Sequence, residues 1–340
     1  MNKYKLRGKI KCGGCGSKFP PKILQELLSG FNENLDKSFI HFDESEDACV
    51  LPLNNTKSIV QTVDIIYPNV DDPFIFGRVA TLNAVSDIYA MGADPVVGLN
   101  IAEFSSNLDS EILQQILEGA FMQSKLEGFN ICGGHTIEGD SLKFGMSVMG
   151  FLDPAKILRN SGASPKELIV LTKPIGTGMY SEALKHSLLT KDDQIDFEKL
   201  LLTSNKTASR ILREFKVSSM TDVSGFGLAV HLYRLLCNSS VSARIEKKMI
   251  PILPKLNSLS LNKSLRNTYK NNHEVVKNNI NADIEDSVLF DPQTNGGLLF
   301  TTTTSELKKI DKDFQLENLE LHIIGQVERK EENKSEIKVI

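Results

Sequence analysis

The chain has 340 residues, 41% of them hydrophobic and 24% charged, with a net charge of −4. That length accommodates two domains with their own cores, and the composition is that of an ordinary globular protein. The acidic balance excludes a broad basic surface for nucleic acid, and no apolar run approaches the roughly 20 residues that a membrane helix needs. Lys247-Lys248 and Lys308-Lys309 read as solvated surface. Five cysteines, an odd count, do not suggest a disulfide framework in a chain this long and fit a reducing compartment. No apolar segment of a secretory signal follows the basic start, so the expected location is cytoplasmic.

In chain order, residues 1–18 read as an irregular, mobile loop, and Pro20-Pro21 leads into a short helical pattern over 22–28. A strand is predicted over 58–64, a largely buried helix over 73–91 and a buried strand over 95–101. Residues 110–127 repeat apolar side chains at i, i+3 and i+4, which predicts an amphipathic helix. Strands over 130–132 and 144–152 flank a glycine-rich loop. Pro, Gly and Ser cluster over 153–164 and suggest a boundary. Beyond it come a buried strand over 168–172, a loop with Gly176 and Gly178, and helices over 179–188, 197–215 and 228–237. A strand follows at 241–245. Residues 257–281 have no clear period. Closing strands are predicted over 298–302, 319–327 and 336–340. Strands and helices mix without strict alternation, so the expected class is α+β. The expected division is a flexible loop over 1–18, one domain over 19–155 and a second α+β domain over 156–340.

The chemistry-bearing segments are short. Cys12-Gly13-Gly14-Cys15-Gly16-Ser17-Lys18 puts two thiols and an amine on a loop with little side-chain bulk between them. Lys18 could lower the Cys15 thiol pKa or neutralise phosphate oxygens. A zinc ribbon needs a second cysteine pair, whereas Cys49, Cys132 and Cys237 stand alone. A thioredoxin-like pair sits at a strand-to-helix turn, whereas only a short basic segment precedes this one. Asp47, Asp64, Asp87 and Asp222 each stand at the edge of an apolar segment, where carboxylates can hold Mg²⁺ together with nucleotide phosphates. Each is equally read as a cap or turn residue. No phosphate-binding loop of the Walker type and no dinucleotide fingerprint is present. Gly133-Gly134-His135-Thr136 could present backbone N–H groups to phosphates. His135 reads either as a base or as a loop histidine bonded to its neighbours. Asp222-Val223-Ser224-Gly225-Phe226-Gly227 precedes a helix N-terminus that favours anions. Asp291-Pro292-Gln293-Thr294-Asn295-Gly296-Gly297 is a turn-forming run.

Taken in order, these segments resemble the selenophosphate synthetase (selenide, water dikinase) family of the aminoimidazole-ribonucleotide synthetase-like superfamily. The resemblance runs through Cys15-Gly16-Ser17-Lys18, Glu46-Asp47-Ala48-Cys49-Val50, Thr62-Val63-Asp64 and Asp72-Pro73-Phe74-Ile75-Phe76-Gly77-Arg78. It continues through Asn83-Ala84-Val85-Ser86-Asp87-Ile88-Tyr89-Ala90-Met91-Gly92, Gly133–Thr136, Leu171-Thr172-Lys173-Pro174-Ile175-Gly176-Thr177-Gly178, Met220–Gly227 and Asp291–Thr294. It implies a two-domain α+β fold whose N-terminal sheet pairs in a homodimer. The implied reaction makes selenophosphate, AMP and phosphate from ATP, selenide and water, with selenium arriving as selenide or from a delivering protein. The product would donate selenium for selenocysteine or tRNA selenouridine.

By the same resemblance Cys15 and Lys18 are catalytic, and Asp47, Asp87 and Asp222 hold Mg²⁺. Lys18, Glu44, Ser45, Glu46, Asp64 and Asp87 serve ATP, while Gly134, His135 and Thr136 reach ATP bound to the other subunit. Ser17 stands where many members carry a second cysteine, which excludes a disulfide between residues 15 and 17. Ser45-Glu46 replaces the more usual Arg-Asp. Two alternatives remain at this stage: another ATP-using enzyme of the superfamily, such as a hydrogenase-maturation dehydratase or thiamine-phosphate kinase, and a nucleotide-binding redox sensor using Cys12 and Cys15.

Overall fold

In the computed structural model the described residues are 6, 14, 18, 23, 27, 39–40, 46–256, 263–283, 287–331 and 335–340, with backbone alone for 263–268 and 287. Two mixed sheets organise them. The first comprises β1 (Cys49–Asn54), β2 (Lys57–Ile66), β3 (Asp94–Phe104), β4 (Asn130–Glu138) and β5 (Lys143–Leu152) in the order β1-β2-β5-β3-β4. All its pairings are antiparallel except β3 with β4. The second comprises β6 (Leu168–Leu171), β7 (Ser219–Asp222), β8 (Ser242–Ile245), β9 (Leu298–Thr302), β10 (His322–Glu328) and β11 (Ile337–Val339), in the order β11-β8-β10-β6-β9-β7. Its α+β character agrees with the absence of regular strand–helix alternation in the sequence.

Between the sheets lies helix α1 (Pro73–Ala90), with 14 of its 18 residues buried. It is therefore not a surface helix with one wet face. Asp72 caps it by accepting from the Ile75 N–H at 2.9 Å, and Pro73 occupies the first turn, where no N–H is missed. α1 contributes to every large apolar cluster: Phe76 joins Ile169 and Leu171, Ala84 joins Val60 and Val148, and Ala90 joins Met220 and Phe300. Helix α2 (Ser110–Glu127), capped by Asp109 and ended by Gly128 at φ +86°, packs tightly against it. Added Cβ atoms at Gly77 and Gly119 would stand 2.0 Å from the Ile116 carbonyl oxygen and 2.1 Å from that of Phe74. The two glycines thus set the helix–helix separation.

On β2, Ser58, Val60, Thr62 and Ile66 are buried while Lys57, Gln61, Val63 and Ile65 face outward. The strand expected over 95–101 is longer and only half buried, since Val96 and Leu99 are exposed. The glycines expected in a loop after 130–132 lie inside β4, which pairs in parallel with β3 through Glu138. At Gly134 a Cβ would sit 2.2 Å from the Asn100 carbonyl oxygen, so the close strand approach requires glycine.

Beyond residue 164 the helices are α3 (Thr177–Lys185), α4 (Lys191–Leu201), α5 (Lys206–Leu212), α6 (Gly227–Ser239), α7 (Lys263–Val276) and α8 (Thr304–Leu316). The single helix expected over 197–215 is two, α4 and α5. At the break the carbonyls of Leu201 and Thr203 accept from Asn295 Nδ2 at 2.8 and 2.9 Å, and Thr203 O also accepts from Lys173 Nζ at 2.7 Å. α7 was masked in the sequence by polarity. Its inner face includes Tyr269, Asn272 and Val276, and Asn272 donates to the carbonyls of Gly225 and Phe290 rather than packing as an apolar residue. β1 and α8 were not anticipated. Thr303 caps α8, which buries Leu307, Ile310 and Phe314. No helix among the described residues is long and apolar enough to cross a membrane.

The glycine contact gives a test of this packing. Gly77→Ala and Gly119→Ala should each lower stability by about 1–3 kcal/mol, because backbone rather than a flexible side chain opposes the new methyl. Urea unfolding followed by circular dichroism measures this; an unchanged midpoint in both variants would contradict the tight crossing.

Candidate active site

A cavity of about 200 Å³ opens where the C-terminal half of α1 meets the ends of β2 and β7. Its wall brings together Lys18, Glu46, Asp47, Asp64, Asp87, Thr221, Ser224, Phe226 and residues of α6, and the buried Asp222 follows Thr221 at the end of β7. Each carboxylate is positioned by a polar group on a neighbouring element. Thr221 Oγ1 donates to Asp47 Oδ1 at 2.7 Å, Thr62 Oγ1 to Asp87 Oδ2 at 2.5 Å, and Ser86 Oγ to Asp222 Oδ2 at 2.7 Å. Asn83 Nδ2 donates to Asp64 Oδ2 at 2.6 Å. A further layer holds these donors: Asn205 Nδ2 reaches Ser86 Oγ at 3.0 Å, and Asn83 Oδ1 accepts from the Asn295 N–H at 2.9 Å. Residues from both sheets therefore fix one constellation.

Electrostatics sets this cluster apart from ordinary capping aspartates. Burial, then the charges of Asp222 and Asp87, push the Asp47 carboxyl well above the usual carboxylate range. Burial and the charges of Asp222 and Asp64 do the same to Asp87. Asp222 is raised chiefly by burial, against the opposing Ser86 hydrogen bond and Lys18 charge. Asp47 Oδ2 and Asp222 Oδ1 are buried with no hydrogen-bond partner. Such oxygens carry a large desolvation cost unless a cation or proton reaches them. The donor set, hard carboxylate oxygens, fits a divalent cation such as Mg²⁺. Among the described residues no group of three or more His, Cys, Asp or Glu side chains is placed to hold a metal ion by itself. Mg²⁺ bound with a nucleotide draws part of its shell from phosphates and water.

Cations line the same cavity. Lys18 Nζ lies 3.3 Å from Asp64 Oδ1 and 5.8 Å from the centre of the Phe226 ring. Four residues upstream the Gly14 N–H donates to the Tyr67 carbonyl at 3.0 Å, which ties the N-terminal segment to the end of β2. Arg234 Cζ lies 4.5 Å from the same Phe226 ring. His231 Nε2 accepts from the Ser224 N–H at 3.2 Å, which assigns the ring proton to Nδ1. Burial, then the charges of Arg234 and Lys18, push this imidazole well below its ordinary pKa, so it is neutral at pH 7.

Other expected residues have different surroundings. Glu46 lines the cavity, but its Oε1 meets Arg159 Nε at 2.8 Å and its Oε2 accepts from the Asn160 N–H at 2.9 Å. Gly134, His135 and Thr136 are exposed on edge strand β4 and do not line the cavity. Cys15, Glu44 and Ser45 lie outside the described residues, as does Cys12. Asp291 turns inward, accepting from the Gly178 N–H at 3.1 Å and the Tyr269 hydroxyl at 3.1 Å. Its role is structural.

Sequence reasoning missed Thr62, Ser86, Thr221, Phe226, His231 and Arg234, which complete the walls. It also missed Lys173, pushed down to about 7 by burial, whose amine donates to Thr203 O and to Asn295 O at 3.0 Å. The available signals were spacings: Thr62 two before Asp64 on a strand, and His231 and Arg234 three apart on an otherwise apolar helix.

Models of the AIR synthase related protein family match the chain, its N-terminal domain over residues 45–152 and its C-terminal domain over 165–338. The selenide, water dikinase of Clostridioides difficile (strain 630) is 36% identical over 332 residues, 95% of both chains. Selenide, water dikinase 2 of Peptoclostridium acidaminophilum is 36% identical over 335 residues, 96% of both. Among solved structures, thiamine-monophosphate kinase from Stenotrophomonas maltophilia K279a superposes with a TM-score of 0.67 at 18% identity, covering 94% of this chain and 96% of that one. AaThiL complexed with AMPPCP and TMP gives 0.70 at 16% identity, covering 94% and 93%. These two establish the fold, and the sequence relatives establish the closer kinship: the chain belongs to the selenide, water dikinase family.

Proposed function

We propose that this chain makes selenophosphate from ATP, selenide and water, releasing AMP and phosphate. The observation that carries the reading is the convergence of Lys18, Asp47, Asp64 and Asp87 in one cavity from segments far apart in sequence, with the buried Asp222 close enough for its charge to act on Asp47 and Asp87. Two phosphoanhydride bonds break. Selenium attacks the terminal phosphorus of ATP, displacing ADP, and water then cleaves the bond between the α- and β-phosphates to give AMP and phosphate. Positioning and charge stabilisation do most of the work in such transfers. At about 200 Å³ the cavity is smaller than a typical pocket of roughly 300 Å³ or more for a whole small ligand. It fits the polyphosphate end, with the nucleoside lying outside.

Asp47, Asp87 and Asp222 would hold Mg²⁺, which supplies charge neutralisation at the phosphoryl oxygens. Thr62, Ser86 and Thr221 keep those carboxylates aimed inward. Lys18, steered by Asp64, adds a positive charge. Cys15, three residues before Lys18, supplies a soft thiolate suited to selenide. Glu46 supports the site by binding Arg159 and the Asn160 backbone, a role that would place it behind the nucleotide-binding surface.

A second copy of the chain fits the first sheet. Val63, Ile65, Leu99 and Ile137 leave apolar surface exposed there, and β4 is an edge strand. Such an unpaired edge and apolar patch are features that association covers. In a homodimer, Gly134, His135 and Thr136 would approach ATP held by the partner.

³¹P NMR of anaerobic protein, ATP, Mg²⁺ and selenide should show a phosphorus–selenium product in equal amount to AMP and phosphate. Cys15→Ser and Lys18→Ala should each cut selenide-dependent turnover by about 10²-fold or more. Nucleotide cleavage indifferent to selenide would overturn the reading.

Metal dependence also has a sign. The folded-state pKa values of Asp47, Asp87 and Asp222 are raised, so their stability contribution is full below the unfolded value near 3.8 and is lost as pH rises through the folded values. Metal-free protein should therefore be penalised at neutral pH, and Mg²⁺ should raise its melting temperature more at pH 7.5 than at pH 5. Asp87→Asn and Asp222→Asn should stabilise the metal-free form by about 1–3 kcal/mol while removing Mg²⁺-dependent turnover. Calorimetry at both pH values checks this.

Shared sites predict complementation. Equal mixing of inactive Lys18→Ala chains with inactive chains carrying His135→Ala and Thr136→Ala should recover about a quarter of wild-type turnover, because half the dimers regain one complete site. No recovery after verified subunit exchange would argue against sites shared between subunits.

A further inference from the structure

Arg234 is a cavity-lining cation to which no role has been given above. It follows His231 by one turn on α6, and its guanidinium rests on the Phe226 ring. Among the described residues no carboxylate lies within ion-pair distance of it. Asp47 acts on it electrostatically at longer range, and burial lowers its pKa from the ordinary arginine value. The remaining cations of the region are engaged: Arg159 by Glu46 and Lys18 by Asp64.

A guanidinium is charged at every working pH and carries five N–H donors in a rigid fork. Contact with the Phe226 ring holds the guanidinium at the cavity wall, where its N–H donors can meet a ligand. Neighbouring His231, neutral and committed to the Ser224 N–H, does not compete as an acceptor for that fork. Lys18 Nζ stands over the same ring, so the two cations border one small volume that the aspartates also line. The ligand that matches a planar donor fork is a phosphoryl group with two or three oxygens. A lone selenide ion offers no such pair of acceptors.

We propose that Arg234 is a phosphate-binding residue that grips the oxygens of the phosphoryl groups beyond the α-phosphate, acting together with Lys18. This rests on the ATP-using reading above and adds a residue to it. In that arrangement the triphosphate end meets both the cation-binding carboxylates and the guanidinium and ammonium groups. Arg234 contributes binding and orientation, while Phe226 supports the guanidinium.

The experiment compares AMPPCP, which carries all three phosphates, with AMP, which carries one, by calorimetric titration in Mg²⁺. Arg234→Gln should weaken AMPPCP by about tenfold to a hundredfold and change AMP by less than about twofold. Arg234→Lys should recover part of the AMPPCP affinity by charge but not all of it, for want of the fork. Phe226→Leu should weaken AMPPCP by a smaller factor in the same direction. Equal AMPPCP affinity in Arg234→Gln and the unaltered chain, or equal losses for AMPPCP and AMP, would overturn the assignment. Circular dichroism establishes that each variant is folded; if the Gln variant is not, the Lys variant carries the same AMPPCP-against-AMP comparison. An unaltered chain that binds neither nucleotide would overturn the ATP-using reading itself, an outcome distinct from a failure of Arg234 alone.

Discussion

Mutual repulsion among Asp47, Asp87 and Asp222, buried at the meeting of two sheets, is the constraint around which the rest of the molecule is arranged. Left to relax, such groups would move to solvent or apart, because burying like charges costs several kcal/mol. Three hydroxyls prevent this by holding one oxygen of each: Thr221 on Asp47, Thr62 on Asp87 and Ser86 on Asp222. Ser86 belongs to a helix that all three apolar clusters enclose, while Thr62 and Thr221 stand on β2 and β7. Apolar burial around α1 thus offsets an electrostatic cost concentrated at its C-terminal half. A site built this way has its charges aimed before any ligand arrives, which is where enzymatic charge stabilisation gains over water.

The same contacts join the two sheets. Ser86 and Asn83 belong to α1, whereas their partners Asp222, Asn205 and Asn295 come from beyond residue 164. Asn295 bonds across this junction with its backbone and uses its side-chain amide to satisfy the carbonyls at the α4–α5 break. Lys173 meets the same break and Asn295 O. A displacement of one sheet relative to the other would expose unpaired buried polar groups at several of these points together. Carboxylate geometry and inter-sheet geometry are consequently one problem with one solution.

Legibility in the sequence followed the range of the determining contacts. Helix α2 announces itself at both ends, through Asp109 and Gly128, and along its length through apolar repeats. Helix α7 does not, because Asn272 takes a buried position for its hydrogen bonds. The α4–α5 break depends on Asn295 and Lys173, about a hundred residues away in one direction and thirty in the other, so no local pattern marks it. At the site, the aspartates were recognisable through the ordered set of motifs around them, not through their own spacing. The engagement of Glu46 by Arg159, 113 positions on, was invisible to local reading. Phe226, His231 and Arg234 were hidden because the start of α6 reads as a plain apolar helix, and their function depends on where Lys18 arrives.

Charge arithmetic then constrains how substrate enters. With Glu46 compensated by Arg159, the cavity aspartates at positions 47, 64 and 87 and the adjoining Asp222 face Lys18 and Arg234 as the charged cations of the cavity wall, since His231 is neutral, and Lys173 acts on Asp222 from outside that wall. If ionised, the cavity carries more negative than positive charge. A bare polyphosphate would add to that excess, and two basic side chains could not balance it. Under the proposed function the entering species is therefore a nucleotide already complexed with divalent cation, whose charge serves phosphate oxygens and aspartates together. The neutral imidazole has a place in this balance. A third fixed positive charge beside Ser224 would attract the carboxylates and weaken their claim on the metal. Keeping His231 uncharged lets it hold the turn after Asp222 without competing for the carboxylates that would hold the cation.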